Sequence, residues 1–212
     1  MAVRSIPMNS RSVTGRIPVT GQGAVAVEST LERDFALLAQ FQRGFIAIEE
    51  QPVRIPIPEP GRGYVPDFLV TWAPPRPREL VEVKYQADLE SNLDRLAPRF
   101  AAAERFACDN GWIFVVATES DIRTPQLGNA KFLLPFRRRA VDPGLCARLI
   151  AGVAVAGTIS AGQLLEITFP IAARIEALPA LWRLIATFQL GADLTTPLTM
   201  DSQLTIGESG HA

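Results

Sequence analysis

The runs Tyr64-Val-Pro-Asp67-Phe-Leu-Val-Thr-Trp72 and Glu79-Leu-Val-Glu82-Val-Lys84-Tyr85 are joined by Ala73-Pro-Pro-Arg-Pro-Arg78. Both are rich in β-branched and aromatic residues, and so short a link predicts an antiparallel hairpin. Each run carries an acid among apolar residues, Asp67 in the first and Glu82 in the second. Strand side chains alternate with a period of two, so Glu82 and Lys84 share a face. A proline–acid pair, a turn and acid-x-lysine on the next strand is the pattern of a two-strand, metal-dependent phosphodiester-cutting site.

Upstream, Ser29-Thr-Leu-Glu32 predicts a helix start, with Ser29 as N-cap and Glu32 at the reciprocal position of a capping box. Leu31, Phe35 and Leu38 recur at helical spacing to about Gln42, and Gly44 ends the helix. Phe45 to Ile48 is a short apolar run. Gln51 to Ile57 is extended, and Pro52, Pro56 and Pro58 allow it to be no more than an edge strand. Downstream, Asp88 to Asn92 leads into a helix through Leu96, Phe100 and Ala107 that Asn110-Gly111 closes, with Pro98 marking a kink or the true first turn. Trp112 to Thr118 is continuously apolar, which predicts a strand buried on both faces. Helix, three antiparallel strands, crossover helix and a further strand give an α/β sandwich.

Residues 119–142 read as irregular or helical, and Asp142-Pro143-Gly144 is the predicted boundary of a second domain. Beyond it, Leu145 to Val155, a segment capped by Thr158-Ile159-Ser160, and Pro179 to Gln189 predict three helices. Asp193-Leu194 and Gln203 to Ile206 predict a small wing, so residues 143–212 read as a mostly α, winged-helix or helix-turn-helix module. Residues 1–27, with Arg4, Arg11 and Arg16 and no acid, read as a flexible basic arm.

Composition narrows the chemistry. With 48% hydrophobic residues the chain can bury a core, yet no apolar run reaches the roughly 18 residues of a spanning helix. No secretory leader is expected at the N-terminus. Cys108 and Cys146 lack CxxC spacing and read as small buried hydrophobes in a reducing compartment. His211 is the one histidine. A metal would therefore be bound by oxygen, which favours magnesium, with manganese as a substitute. Of 21 basic residues only Lys84 and Lys131 are lysine. A lysine between Val83 and Tyr85 suits a site that needs a compact ammonium.

Two carboxylates from adjacent strands, Asp67 and Glu82, can hold such an ion, with the Val83 backbone carbonyl and waters completing the shell. Lys84 can orient the attacking water or stabilise developing charge. The plainer readings are a strand-edge carboxylate that accepts a backbone amide for Asp67, and a same-face ion pair for Glu82 and Lys84. Against the first, an acid in an apolar strand costs several kcal/mol unless paired or metal-bound. Glu32 has two readings, the helix cap and a third acid pointing to the metal. Glu28, one turn earlier, reads as a solvated loop residue. Gln86 could touch a phosphate, and Arg137-Arg138-Arg139 reads as a solvated linker or a phosphate clamp.

These residues resemble the PD-(D/E)xK nuclease superfamily, and more specifically TnsA, the endonuclease subunit of heteromeric cut-and-paste transposases. The elements resembling it run in order over residues 28–136: the Ser29-Thr-Leu-Glu32-Arg-Asp-Phe35 helix, the proline-bearing strand, the Pro-Asp67 strand, Glu82-Val-Lys84, a helix and Gly-Trp-Ile-Phe-Val-Val-Ala-Thr118. The resemblance implies a restriction-endonuclease-like fold for residues 28–142 and a winged-helix-like C-terminal domain. It also implies magnesium on Asp67 and Glu82, help from Lys84, and Glu32 completing the acidic site. In the founding member a glutamine stands at the position of Glu82; the glutamate here is the superfamily's usual residue.

The implied role is cleavage of the non-transferred 5′ strands at transposon ends. A DDE transposase subunit would cut and join the 3′ ends, and an AAA+ ATPase regulator would dock through the C-terminal region. A bacterial, cytoplasmic, DNA-associated protein is expected. The predicted third C-terminal helix carries only Arg183, in mildly acidic surroundings, where a DNA reader would bring several basic residues. Residues 143–212 are therefore expected to bind a partner protein. Two other readings stay open. One is a catalytically silent nuclease-fold scaffold, against which the intact acid–acid–lysine set argues. The other is a stand-alone structure-specific or restriction-type nuclease, which would need its own basic DNA face.

Overall fold

The computed structural model describes residues 15–19, 21–57 and 63–207. The chain divides into two units, Met1–Arg123 and Thr124–Ala212. The first opens with a two-stranded antiparallel sheet, β1 (Gly15–Val19) and β2 (Gly23–Val27). Ile17, Val19, Val25 and Val27 are buried at period two along it. The arm reading is thus corrected for residues 15–27, because alternate valines and isoleucine supply an apolar face; residues 1–14 lie outside the described residues.

Helix α1 (Thr30–Phe41) begins as its cap predicts, the Ser29 hydroxyl accepting from the Glu32 amide at 3.1 Å. Glu32 does not close the box on Ser29. Its carboxylate accepts instead from the Glu28 amide at 2.7 Å. Next come β3 (Phe45–Glu50), β4 (Phe68–Trp72), β5 (Glu79–Val83), α2 (Gln86–Ser91), α3 (Leu93–Asp109), β6 (Ile113–Ala117) and α4 (Glu119–Ile122). The four strands lie in the order β3-β4-β5-β6, antiparallel until β6 joins β5 in parallel through the α2–α3 crossover.

The hairpin forms as its alternation predicts. Residues 51–57 make only a single bridge, Ile55 to Tyr64, consistent with their prolines. Strand β4 is covered on both faces. Phe68 stacks on Phe35 of α1 at 5.6 Å between ring centroids. Leu69, on the opposite face, joins Leu80, Tyr64, Ile55 and the alanines Ala102, Ala103 and Ala107 of α3. Strand β6 departs from expectation. As an edge strand it buries Ala117 but leaves Ile113 43% exposed. Cys108 is exposed and Cys146 half-buried, so neither is the buried hydrophobe expected.

The second unit contains α5 (Pro125–Leu133), a 3-10 turn (Leu134–Arg138), α6 (Pro143–Ala156), β7 (Ile159–Ser160), α7 (Ala161–Thr168), α8 (Ile171–Ala186), β8 (Leu190–Ala192) and β9 (Gln203–Ile206). Its boundary falls at Thr124, earlier than the predicted Asp142. Residues 125–138 are bound into this unit by the Phe132–Trp182 ring contact at 5.3 Å and by the Arg137 Nε bond to the Ala186 carbonyl at 2.8 Å. Asn129, buried, donates to Leu194 and Thr196 carbonyls at 2.9 and 2.7 Å and accepts from the Leu198 amide at 2.9 Å. Helix α8 starts well before Pro179 and carries that proline inside, so it also carries Arg174. The three strands order as β7-β9-β8. No helix among the described residues is long and apolar enough to cross a membrane.

Candidate functional site

The register of β4 on β5 pairs Phe68 with Val81 and Leu69 with Leu80. One further step sets Asp67 opposite Glu82, and period-two alternation keeps Asp67, Glu82 and Lys84 on the face that packs Leu69 and Leu80 against α3. The side chains meet there. Lys84 Nζ lies 2.7 Å from Glu82 Oε1, 3.3 Å from the Val83 carbonyl oxygen and 3.9 Å from Asp67 Oδ2. Asp67 Oδ2 also accepts the Val83 amide at 2.7 Å, and Glu82 Oε2 accepts the Tyr64 hydroxyl at 2.7 Å. Glu82 is buried, while the Asp67 and Lys84 side chains keep 22% and 31% exposure, so the cluster opens to solvent on the lysine–aspartate side.

The electrostatics are those of crowded acids. Burial, then the neighbouring Glu82 carboxylate and Glu32, raise the Asp67 carboxyl well above its usual range, against the opposing pull of Lys84 and the Val83 amide. Burial works to lower the Lys84 ammonium, but Asp67, Glu82 and Glu32 outweigh it and leave it raised. The Tyr64 hydroxyl is pushed far above the phenol range by burial and by Glu82, so it stays a hydrogen-bond donor.

Glu32 sits further out. Burial raises its carboxyl, opposed by bonds from Glu28 and Ser29, and its charge is felt at both Asp67 and Lys84. Its carboxylate is engaged at the helix start, accepting from the Glu28 amide at 2.7 Å and hydrogen-bonded to the Ser29 side chain. Gln86 is tied to Glu90 at 2.9 Å and is not part of the cluster. Arg137 is half-buried against the Ala186 carbonyl, so the arginine knot is neither a bare clamp nor a solvated linker there.

Three contributors escaped sequence reading. Tyr64 reaches Glu82 across 18 residues of chain; a hydroxyl-bearing aromatic three residues before a strand acid was the available signal. Gln51 donates its amide to the Asp67 carbonyl at 2.8 Å and its side chain to Glu28 at 3.2 Å. It does so with φ of +43°, a conformation few non-glycine residues adopt; nothing in the sequence announces it. Arg123 joins the Tyr85 hydroxyl at 3.1 Å to Thr30 at 3.3 Å and Asp34 at 3.4 Å, fastening α1 to the end of β5.

Among the described residues no group of three or more His, Cys, Asp or Glu side chains is arranged to hold a metal ion. The donor chemistry nevertheless suits a hard divalent cation. Two carboxylate oxygens and one carbonyl oxygen already surround a positive charge, and that charge is the Lys84 ammonium acting as a stand-in cation.

A mixed sheet with this acid–acid–lysine edge is consistent with a nuclease-like fold. Residues 43–119 match the family model described as TnsA-like endonuclease N terminal, which supports a TnsA-like nuclease. Asp67, Glu82 and Lys84 lie within the matched segment, and Glu32 precedes it. No curated protein matches the chain.

Proposed function

We propose that this chain is a metal-dependent DNA endonuclease subunit of a heteromeric transposase, cutting the non-transferred 5′ strands at transposon ends. The observation that carries the reading is the Lys84 ammonium nested among Glu82 Oε1, Asp67 Oδ2 and the Val83 carbonyl, inside the segment that matches the endonuclease family. Asp67, Glu82 and the Val83 carbonyl would hold magnesium, or manganese in its place, with Glu32 as an outer acid. A divalent ion held by these oxygens would supply Lewis-acid chemistry, polarisation of the scissile phosphate and a lowered pKa for a water. Lys84, on a flexible stem beside those oxygens, would orient an attacking water or steady charge developing on phosphate oxygens. The buried Glu82 excludes solvent on one side, and the exposed edge of Asp67 and Lys84 faces the substrate.

The order α6, β7, α7, α8 and the β8–β9 ribbon, after α5 and the 3-10 turn, supports our reading of a winged-helix-like module, and we assign the second unit to partner binding. Arg137, Arg148, Arg174 and Arg183 support that choice, because they donate to backbone carbonyls, while Arg138 and Arg139 stay exposed. Arg183 donates to Arg137 and Arg139 at 2.6 and 2.9 Å, Arg174 to Phe169 at 3.2 Å, and Arg148 to Thr168. A reader of DNA would keep such groups for phosphates. Ile167, Ile171 and Ile175 are exposed on α7 and α8, an apolar surface suited to a protein such as the AAA+ regulator. The DDE transposase would supply the 3′ cuts.

The test is reconstitution. The chain, its cognate transposase and end DNA are combined with magnesium, and breaks are mapped on each strand. Breaks on the 5′ strands that require this chain support the reading. Breaks that appear without it, or tight salt-sensitive DNA binding and cutting by the isolated chain, refute the subunit role.

A further inference from the structure

We infer that Tyr64 is a positioning residue that fixes which oxygen of Glu82 is presented to the Asp67–Lys84 side of the site. The inference rests on the metal-dependent nuclease reading above. The tyrosine is held at both ends. Its amide and carbonyl exchange two hydrogen bonds with Ile55, each 2.7 Å. Gly63 before it has φ of +36°, and a Cβ there would sit 2.9 Å from the Ile55 carbonyl oxygen, so the approach is made for glycine. The ring packs in the core under α3, 6.5 Å from that of Phe100.

From this mount the hydroxyl donates to Glu82 Oε2 at 2.7 Å, which leaves Oε1 toward Lys84, also at 2.7 Å. The last torsion of a glutamate is broad and two-fold, so a carboxylate without a second partner samples many orientations. Here one oxygen is pinned by a donor anchored in the core, and the other is aimed at the position where a cation belongs. Partners of this kind, one bond behind a ligand, typically govern affinity or activity by about 10–100-fold.

Tyr64→Phe keeps the ring and deletes only the donor. Mn2+ binding to the full chain is read directly, from the loss of the free-ion paramagnetic resonance signal. The expected result is Mn2+ affinity about 10–100-fold weaker, with cleavage largely regained at saturating metal. Phe100→Leu serves as the packing control; it should lower the melting temperature and leave the Mn2+ midpoint in place. Unchanged Mn2+ affinity in Tyr64→Phe, while the wild type binds and cuts, overturns the positioning role and spares the nuclease reading. A wild type that neither binds Mn2+ nor cuts overturns both. Should Tyr64→Phe fail to fold, the wild type decides. The ring resonances of Tyr64, told from those of Tyr85 by Tyr85→Phe, should shift on addition of Mg2+, and unmoved resonances overturn the inference.

Discussion

Lys84→Met separates the two jobs assigned to the lysine. In the metal-free chain the ammonium neutralises Glu82, whose side chain is 5% exposed, through a 2.7 Å contact. Deleting one partner of a buried ion pair costs about 3–5 kcal/mol. The lysine side chain is 31% exposed, so water reaches the vacated oxygen and the lower bound, about 3 kcal/mol, applies. For a chain of this size that lowers the melting temperature by about 6–12 °C. Magnesium should then close most of the gap, because ammonium and cation compete for the same oxygens. At about 100 times its dissociation constant an ion returns about 2.7 kcal/mol, and the variant gains it without first displacing a lysine. Cleavage should stay depressed by at least about 100-fold, as for loss of a group stabilising transition-state charge. The assay is thermal melting with and without magnesium, run beside strand cleavage. A wild-type melting temperature in the variant, or a larger magnesium shift in the wild type, would refute the shared-oxygen argument.

Asp67→Asn should raise the stability of the metal-free chain at neutral pH. The folded carboxyl is raised above its unfolded value of about 3.9, so folding takes up a proton between the two and stability falls as pH rises through that window; the advantage of the variant should vanish toward acid pH in paired melts. Glu32→Gln keeps an acceptor for the Glu28 amide at the helix start, so a fall in cleavage of about 10-fold or more without loss of helicity by circular dichroism would mark the third-acid role; unchanged cleavage would reduce Glu32 to a cap. Asn129→Ala removes three bonds from a buried amide and should destabilise by about 2–4 kcal/mol, seen in denaturant melts, with Mn2+ affinity unchanged.

The hairpin, the capped first helix and the acid–acid–lysine edge were legible because each is local: a period of two, a serine before a periodic run, a short turn. What was missed depends on partners distant in sequence or on tertiary override. Tyr64 needs Glu82 across the sheet, and Arg123 needs Asp34 and Tyr85. The valines and isoleucine of β1 and β2 did alternate, but the glycines, alanines and proline between them masked the period. Pro179 looked like a helix start, yet α8 runs through it with Ala177 and Ala180 buried on either side. Arg137 looked solvated because its carbonyl partner lies 49 residues on.

The most direct measurement is a magnesium titration of 5′-strand cleavage on end DNA by the assembled complex, with wild-type chain and with Asp67→Asn. Wild-type cleavage should rise with magnesium from a blank without it, and the variant should stay at the blank across the titration. Equal cleavage by the two, or cleavage without a divalent ion, would contradict the claim that these carboxylates hold the metal that cuts DNA.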